Sequence, residues 1–390
     1  MRTQGAGRRP RRIGILSDDL TGAGDIGLYF RRAGFRTEIV IARKDGSLGR
    51  HRPSPGVRVW IIDTETRHCS PRDAALAVGK ATERLVRWGA DFFYKKIDST
   101  LRGPVRDELI SWTSVLGRHR RWGGLPIVFA PAYPRMKRTT RRGVHYVGDR
   151  PLHRSAFGKD VRCPVSTSSL AEILQADGEE TGTPGNISVR VGRSLRLLIP
   201  DISSQNELKY LSREIRRGRF SAPGLVIGSA GLAEELARSW GVPSQSQSLF
   251  HPGPGRQASP VMVVAGSANP RTHRQLAVLE REEDVLVVRT PVLLKADRAP
   301  RMLARLVREA RRKAGPSVRR YVLTGGETAS AFLRILGIWH WEIQGEVESG
   351  VALCSSVGSP GPKVWMVLKP GGFGQDRVLI KSVRRLRHVV

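Results

Sequence analysis

The feature that most constrains this chain is a regular alternation of short apolar runs with longer, helix-like stretches. The apolar runs have the length of single strands and lie at residues 12–16, 36–41, 57–63, 91–97, 126–130, 195–200 and 225–228. Helix-like stretches lie between or after them, at residues 22–32, 71–88, 104–116, 205–216 and 232–240. Alternation of this kind predicts a parallel sheet with helices covering both faces.

A break in the alternation indicates a boundary between domains. Residues 243–260, PSQSQSLFHPGPGRQASP, are rich in Ser, Gln, Pro and Gly and carry no periodicity, which is typical of a linker. After the break the alternation starts again. We therefore predict two three-layer α/β domains with largely parallel sheets and a ligand cleft between them: residues 1–245, a linker at 246–259, and residues 260–390. Within the first domain, residues 177–193 are interpreted as a surface loop.

The cysteine content and the lack of long apolar runs argue against several classes of protein. Cys69, Cys163 and Cys354 lie far apart and show no CxxC or metal-ligand spacing, which disfavours a disulfide framework or a zinc site. No apolar run approaches the roughly 18 residues of a membrane span. The basic N-terminus has no apolar stretch behind it and does not resemble a secretory signal. We therefore expect a cytoplasmic protein without a membrane partner.

The formal net charge of +31 raises the alternative of a nucleic-acid-binding protein. The excess is mostly arginine spread along the whole chain, without an aromatic-interleaved basic motif, a helix-turn-helix pattern or a finger spacing. We interpret most of this charge as arginine replacing lysine on solvated surfaces, with some local attraction of anionic substrates. No specific nucleic-acid partner is predicted, and a basic nucleic-acid-binding protein is kept as an alternative.

A glycine run near the N-terminus raises a second alternative. In IGILSDDLTGAGDIG, Gly22, Gly24 and Gly27 follow a strand-like run and open a helix-like one, which is the dinucleotide pattern of an NAD-dependent dehydrogenase. However, Asp18 and Asp19 stand immediately before the glycines, where their charge would repel a pyrophosphate at the helix start. The pattern therefore favours a site that needs carboxylates, and the dehydrogenase remains an alternative.

Polar clusters follow several predicted strands of the first domain. Because ligands of open α/β sheets bind at the carboxyl ends of the strands, these clusters indicate one shared site. Their lysine and arginine suit an anionic ligand such as a carboxylate or phosphate, whereas their aspartates suit a general base or a hydroxyl anchor. A polyhydroxylated acid would satisfy both. The candidate residues are Asp18, Asp19, Thr21, Arg67, Lys96, Asp98, Ser99 and Arg102.

The predicted strands of the second domain end in glycine-rich turns instead. These turns are AGSANPRT (265–272), LTGGET (323–328) and LKPGGFG (368–374), in which glycine lets backbone N–H groups approach phosphate oxygens. No GxxxxGK[ST] sequence is present, so the site is not a P-loop. Phosphates in one domain and a hydroxy acid in the other together predict a two-domain kinase.

Taken in order, the motifs resemble those of the four-carbon acid sugar kinases, a family long described as a domain of unknown function. The resemblance covers nearly the whole chain and rests on ILSDDLTGAGDIG, IIDTETR, YKKIDSTLRG, FAPAYPRMKRTTRRGVHYVGDRPL, VIGSAGLAEELA, VAGSANPRTHRQL, LTGGETASAFLRILG and LKPGGFGQ. It implies an enzyme of carbohydrate catabolism that uses ATP to phosphorylate the terminal hydroxyl of threonate, erythronate or 3-oxo-tetronate. The stretch KKIDSTLRG is more similar to the threonate or erythronate branch. The acid would bind in the N-terminal domain and ATP in the C-terminal domain, and a homodimer is left open.

The resemblance also implies roles for individual residues. Asp18 and Asp19 would contact the substrate hydroxyls, with Asp18 favoured as the base, and Lys96 and Arg102 would hold the carboxylate. Thr21, Arg67, Asp98 and Ser99 would complete the acid site, and Ser267, Thr324, Gly325, Gly326, Glu327 and Gly371 would line the ATP site. Glu327 stands where aspartate is commoner in the family, and Pro370 and Gly372 stand where a small polar residue and asparagine are usual. Phosphoryl transfer further implies Mg²⁺, whose ligands the sequence does not identify.

Overall fold

The computed structural model of the chain divides into two compact units. The first comprises Met1–Phe35 and Ala42–Val242, and the second comprises Arg36–Ile41 and Pro243–Val390. The structure describes residues 9–43, 45–119, 125–176, 178–181, 186–192, 195–219, 222–241, 260–267, 269–291, 299–358 and 361–389. The linker predicted at residues 246–259 lies outside these residues.

The main sheet of the first unit has a parallel core of six strands and an antiparallel hairpin at one edge. In sheet order the strands are β3 (Val59–Asp63), β1 (Ile13–Ser17), β4 (Phe92–Lys96), β12 (Leu225–Gly228), β5 (Ile127–Ala130), β11 (Leu195–Pro200), β10 (Asn186–Val191) and β9 (Gly178–Thr181). Every residue of β1, β3 and β4 is buried, so both faces of the central sheet are covered.

The helices of the first unit pack in two groups. They are α1 (Leu20–Arg32), α2 (Pro71–Arg87), α3 (Val105–His119), α4 (Leu170–Ile173), α5 (Gln205–Arg216) and α6 (Ala230–Trp240). Helix α2 packs against α3, whereas α6 packs against both α1 and α5. After β5 the chain forms a small antiparallel sheet of β6 (Arg138–Arg141), β7 (Val144–Val147) and β8 (Arg150–Pro151), which the sequence pattern did not predict.

The sheet of the second unit is parallel at one side and antiparallel at the other. In sheet order its strands are β14 (Leu286–Arg289), β13 (Val261–Ala265), β15 (Arg320–Thr324), β18 (Trp365–Lys369), β17 (Val351–Ser356), β16 (His340–Glu348) and β2 (Thr37–Ile41). Its helices are α7 (Pro270–Glu282), α8 (Ala299–Ala314), α9 (Gly326–Ile335) and α10 (Val378–Arg387). Val263, Val322 and Val367 share a core with Leu276 of α7 and Leu379 of α10.

The predicted α/β class is confirmed, and besides the small antiparallel sheet two local elements differ from the prediction. Residues 36–41 were predicted as a strand of the first domain, but β2 pairs antiparallel with β16 of the second unit. The pair is anchored by a 2.9 Å contact between Glu38 and His340, both buried. A strand's own pattern does not specify a partner that lies far away in the chain. Residues 177–193 were predicted as a loop, but they contain the β9–β10 hairpin, whose edge position tolerates polar residues.

The ligand cleft between the two domains stays a prediction. None of the described helices combines the length and the apolar character that crossing a bilayer requires.

Candidate active site

The acidic pair lies at the junction between β1 and α1. Asp18 and Asp19 follow the last residue of the strand, and the helix begins at Leu20. Asp19 is the N-cap residue of α1, and its Oδ1 accepts a hydrogen bond of 3.0 Å from the backbone N–H of Gly22. One of the two carboxylates is therefore a helix cap.

Arg67 binds both carboxylates. It lies in a short 3₁₀ turn, Thr66–His68, after β3, and β3 is the neighbour of β1 in the sheet. Its Nε donates to Asp18 Oδ2 at 2.7 Å, and its two terminal nitrogens donate to the oxygens of Asp19 at 2.7 and 2.8 Å. Residues predicted from two different strand ends thus form one cluster, as the sheet topology requires.

The two carboxylates differ in what they can offer a ligand. Both oxygens of Asp19 accept hydrogen bonds, from Arg67 and Gly22. In contrast, Asp18 Oδ1 is buried and has no hydrogen-bond partner among the residues that the structure describes. Burial opposes the ionisation of Asp18, but the charges of Arg67 and Lys96 outweigh it and lower the pKa of this carboxyl group. Asp18 therefore presents a charged acceptor oxygen that a substrate hydroxyl could satisfy.

The consecutive lysines at the end of β4 have different environments because neighbouring residues of a strand point to opposite faces. Lys95 is fully buried and forms an ion pair of 2.7 Å with Glu108 of α3, which is a structural role. Lys96 is also buried, but no carboxylate lies within 4.0 Å of its Nζ in the described part of the chain. Lys96 is one of the charges that, against the effect of burial, lower the pKa values of Asp18 and Asp98. Of the two lysines, Lys96 is the one able to bind an anion.

The position of Gly22 explains part of the glycine run. A Cβ built on Gly22 would lie 2.7 Å from Lys96 Nζ and 2.7 Å from Asp19 Oδ1. Only glycine lets the lysine and the helix cap approach this closely. A pyrophosphate at this turn would meet the carboxylate of Asp19 instead of bare backbone N–H groups, which disfavours the dinucleotide interpretation.

The loop between β4 and α3 connects Asp98 and Arg102 to the cluster. Arg102 Nε lies 2.5 Å from Asp98 Oδ2, and its Nη1 donates to Asp160 Oδ2 at 3.4 Å. Burial opposes the ionisation of Asp98, but Arg67 and Arg102 overcome it and lower its pKa. Leu101 in this loop has a φ of 57°, which is uncommon for a bulky residue and is a form of strain that concentrates at functional sites.

A buried histidine from the small sheet holds the same loop in place. His145 Nε2 lies 2.8 Å from the carbonyl oxygen of Ser99, and its Nδ1 lies 3.0 Å from the hydroxyl oxygen of Thr140. Because a carbonyl can only accept, Nε2 carries the proton and Nδ1 accepts from Thr140. The hydroxyl groups of Ser99 and Thr21 make no hydrogen bond to the residues described here.

Lowering the pH from 7 to 5 is expected to reduce the free energy of unfolding by about 2 kcal/mol through His145. Burial lowers the pKa of this histidine to about 4 in the folded protein. An unfolded histidine has a pKa of about 6.5, so below that pH the unfolded chain binds a proton at this residue and the folded chain does not. Proton binding therefore stabilises the unfolded state as the pH falls. Urea unfolding at the two pH values measures the loss. The His145→Gln variant is the control and should show a smaller pH dependence; an unchanged dependence would contradict the assignment.

In the second unit, the glycine-rich turns meet around Ser267. A Cβ built on Gly325 would lie 3.7 Å from Ser267 Cβ, and one built on Gly371 would lie 2.5 Å from Ser267 Oγ. Gly325 has a φ of 95°, which only glycine adopts without strain. Gly326 and Glu327 begin α9, whose N-cap residue supplies no side-chain cap. An uncapped helix start of this kind attracts anions.

Thr324 lies beside this group at the end of β15. In the parallel ladder it is in register with Ala265 of β13 and with Lys369 of β18, so the three side chains point to the same face. The Thr324 hydroxyl is buried and has no hydrogen-bond partner among the described residues. The residues predicted to bind ATP are therefore gathered at the carboxyl ends of three neighbouring strands.

Comparison with known proteins establishes the family. Residues 13–236 match the family model described as a sugar-binding N-terminal domain, and residues 293–379 match the one described as a nucleotide-binding C-terminal domain. The D-threonate kinase of Bordetella bronchiseptica is 31% identical over 96% of this chain and 97% of its own length. The chain belongs to the four-carbon acid sugar kinases.

Other relatives of this kinase agree with the assignment. The 3-oxo-tetronate kinase of Salmonella typhimurium is 25% identical over 96% of this chain and 99% of its own length. A solved Salmonella typhimurium protein covers 96% of the chain with a TM-score of 0.74 at 20% identity, which supports the fold alone. A sugar-acid kinase with a nucleotide-binding domain uses ATP, and the comparisons support neither the dehydrogenase nor the nucleic-acid alternative.

Three residues near the kinase's candidate sites were missed by the sequence analysis. Asp160 contacts Arg102 from a segment far along the chain, and His145 reaches Ser99 from the unpredicted small sheet. No local pattern could have revealed either contact. Lys369 is different, because it stands inside the motif LKPGGFG and ends an apolar run. A lysine at the end of a buried strand was a signal available from the sequence.

Proposed function

We propose that this kinase transfers the γ-phosphate of ATP to the terminal hydroxyl of a four-carbon sugar acid, with threonate or erythronate favoured over 3-oxo-tetronate. The observation that carries the proposal is the buried Asp18 Oδ1, a carboxylate oxygen without a hydrogen-bond donor in the described part of the chain, beside the cations of Arg67 and Lys96. An oxygen of this kind is suited to a substrate hydroxyl, and the cations are suited to an acid.

The substrate carboxylate is assigned to Lys96 and Arg102. Lys96 keeps its ammonium group without a carboxylate within 4.0 Å among the residues described. Arg102 donates from Nε to Asp98 and from Nη1 to Asp160. These bonds fix its guanidinium group and leave Nη2 for a ligand. Thr21 and Ser99 carry hydroxyl groups that can complete hydrogen bonds to a polyhydroxylated chain. A short acid with several hydroxyl groups matches this mixture of donors and acceptors.

In the proposed mechanism, Asp18 orients the attacking hydroxyl by accepting its hydrogen bond. Burial raises the pKa of Asp18, but the charges of Arg67 and Lys96 overcome this effect and lower it. The carboxylate is therefore a weak base. This is sufficient because phosphoryl transfer depends on positioning and charge neutralisation more than on prior deprotonation. Arg67 and Asp19 keep Asp18 in one orientation, since the guanidinium group bridges the two carboxylates.

ATP is assigned to Ser267, Thr324, Gly325, Gly326, Glu327 and Gly371. Mg²⁺ is expected with it, to neutralise charge on the phosphate oxygens. No cluster of three or more His, Cys, Asp or Glu side chains suited to a metal occurs among the described residues. This fits Mg²⁺, which usually retains several waters and needs only one or two carboxylates besides the phosphates. Glu327 is a candidate carboxylate because it lies in the first turn of α9.

A screen of four-carbon sugar acids is expected to show ATP consumption with at least one of them. Coupled ADP release measures turnover, and mass spectrometry with ³¹P NMR locates the new phosphate. An analogue of the same acid that lacks the terminal hydroxyl is the matched control and should not be phosphorylated. Failure with every acid, together with NAD-dependent oxidation of one of them, would contradict the proposal and restore the dehydrogenase interpretation.

A further inference from the structure

Lys369, the last residue of β18, is a buried lysine without an anionic partner. Its residue surface is 2% exposed. Its Nζ donates to the carbonyl oxygens of Gly371 at 2.6 Å and Pro370 at 3.2 Å. No carboxylate lies within 4.0 Å of this ammonium group in the part of the chain that the structure describes.

The other two buried lysines of the described chain interact with carboxylates, Lys95 at hydrogen-bond distance and Lys96 electrostatically. Lys95 has the carboxylate of Glu108 at 2.7 Å, and Lys96 lies in the field of Asp18 and Asp98. The pKa of Lys369 is lowered to about 8 by burial and, secondarily, by the charge of Arg271. The group therefore remains mostly protonated at pH 7, although burying an uncompensated charge is costly. A cost of this kind is offset when an anion binds nearby.

The loop that follows Lys369 is built to bind such an anion. Most of its carbonyl oxygens are held by buried side chains. Thr272 donates to Gly371 at 2.5 Å, and Gln275 Nε2 lies 3.1 Å from the carbonyl oxygens of Phe373, Gly374 and Gln375, which share its two hydrogens. Lys369 supplies the remaining bonds to Pro370 and Gly371. The carbonyls of Pro370, Gly371, Phe373, Gly374 and Gln375 are thus paired within the protein.

Three of the loop's N–H groups are unpaired within the described chain, whereas those of Phe373 and Gln375 donate to Pro370 O and Glu348 Oε1. Those of Gly371, Gly372 and Gly374 have no acceptor among the described residues. Neighbouring unpaired N–H groups such as those of Gly371 and Gly372 are suited to binding an anion. The buried, unpaired hydroxyl of Thr324, in register with Lys369, is an independent sign that a ligand completes this site.

We propose that Lys369 supplies the buried positive charge for the phosphates of the nucleotide and positions the 370–375 loop so that the N–H groups of Gly371, Gly372 and Gly374 bind them. This inference rests on the proposed function, because it takes the nucleotide to bind in the C-terminal unit. It adds Lys369 to the residues that the family resemblance assigned to the ATP site. It also assigns Lys369 to the phosphates of the nucleotide and not to the nucleoside.

The test is calorimetric titration of the full-length chain with ADP and with adenosine. Lys369→Met is expected to weaken ADP binding about 10- to 100-fold, because a charge-assisted interaction is lost. Adenosine, which has no phosphate, should lose less than about 3-fold. Lys369→Arg should restore part of the ADP affinity. Lys313→Met is the matched control, since Lys313 is exposed near the C-terminal end of α8 and pairs with Glu309 of the same helix, and the ADP affinity of this variant should be unchanged.

Lys369→Gln separates the charge from the hydrogen bonds, because glutamine keeps a donor for the loop carbonyls. It should weaken ADP binding nearly as much as methionine does, and it replaces Lys369→Met in the comparison if that variant does not fold. An equal loss of ADP and adenosine affinity in a folded variant, or no loss of ADP affinity, would overturn this inference alone. A wild-type chain that binds no nucleotide would overturn the proposed function and this inference with it.

Discussion

Replacing Asp18 with Asn is expected to lower kcat/KM for the sugar acid by about 100-fold, the lower end of the range for losing a positioned acid–base group, because Asp18 orients the hydroxyl more than it deprotonates it. Asp18 Oδ1 is the buried oxygen that has no donor in the described chain, and asparagine could place an N–H group there instead of an acceptor. The substitution also removes the charge that Arg67 and Lys96 now face. Steady-state kinetics with saturating ATP measures the effect.

Asp19→Asn is the matched control for this prediction. Asp19 uses both oxygens within the protein, so its replacement should act mainly on stability. Asparagine can still cap α1, but the charge-assisted bonds from Arg67 are weakened, which costs about 1.5 to 3 kcal/mol. Its kcat should fall much less than that of Asp18→Asn. Both variants should bind ADP like the wild-type chain, because they lie in the other unit. A larger kinetic loss for Asp19→Asn would reverse the roles proposed for the two carboxylates.

Replacing Arg102 with Ala and Gly326 with Val is expected to separate the binding of the two substrates. Arg102→Ala should raise the KM for the acid by about 10- to 150-fold, the cost of a lost charge-assisted hydrogen bond, and leave the KM for ATP nearly unchanged. Gly326→Val should do the converse, because a β-branched side chain would fill the space where phosphate approaches α9. Gly326 is not among the residues with positive φ, so this substitution avoids the strain that Gly325 would suffer.

Two controls address general damage to the fold. Arg118→Ala removes an exposed arginine of α3, outside the candidate sites, and Gly345→Val adds a side chain where a Cβ would meet nothing within 4 Å. Both should leave the two KM values unchanged, and thermal midpoints show whether each variant is folded. If Arg102→Ala weakened ATP binding and spared the acid, the ligands would be assigned to the wrong units. Equal increases in both constants would leave Arg102 without a specific role in binding the carboxylate.

Much of the candidate site could be predicted because its elements are local in the chain. A strand end, a glycine and a helix start follow one another within about ten residues in both Asp18–Gly22 and Thr324–Glu327. Parallel β-sheet topology then brings successive strand ends to the same edge, so Arg67 could be expected beside Asp18 without knowledge of any contact. The same reasoning did not identify Asp160 or His145, because their contacts with the site depend on segments that carry no strand-end pattern.

The sequence by itself determined the α/β class and the kinase family. It also determined that the strand ends carry carboxylates in the first domain and glycines in the second. Each of these properties depends on short contiguous motifs. The tertiary structure alone decided which residue of each pair is available to a ligand. It showed that Asp19 caps α1, which leaves Asp18 for a ligand. It also showed that Lys95 is paired with Glu108, which leaves Lys96 for a ligand. It also placed β2 beside β16. These distinctions depend on burial and on partners distant in the chain, and neighbouring residues of the same type look alike until the fold gives them different surroundings.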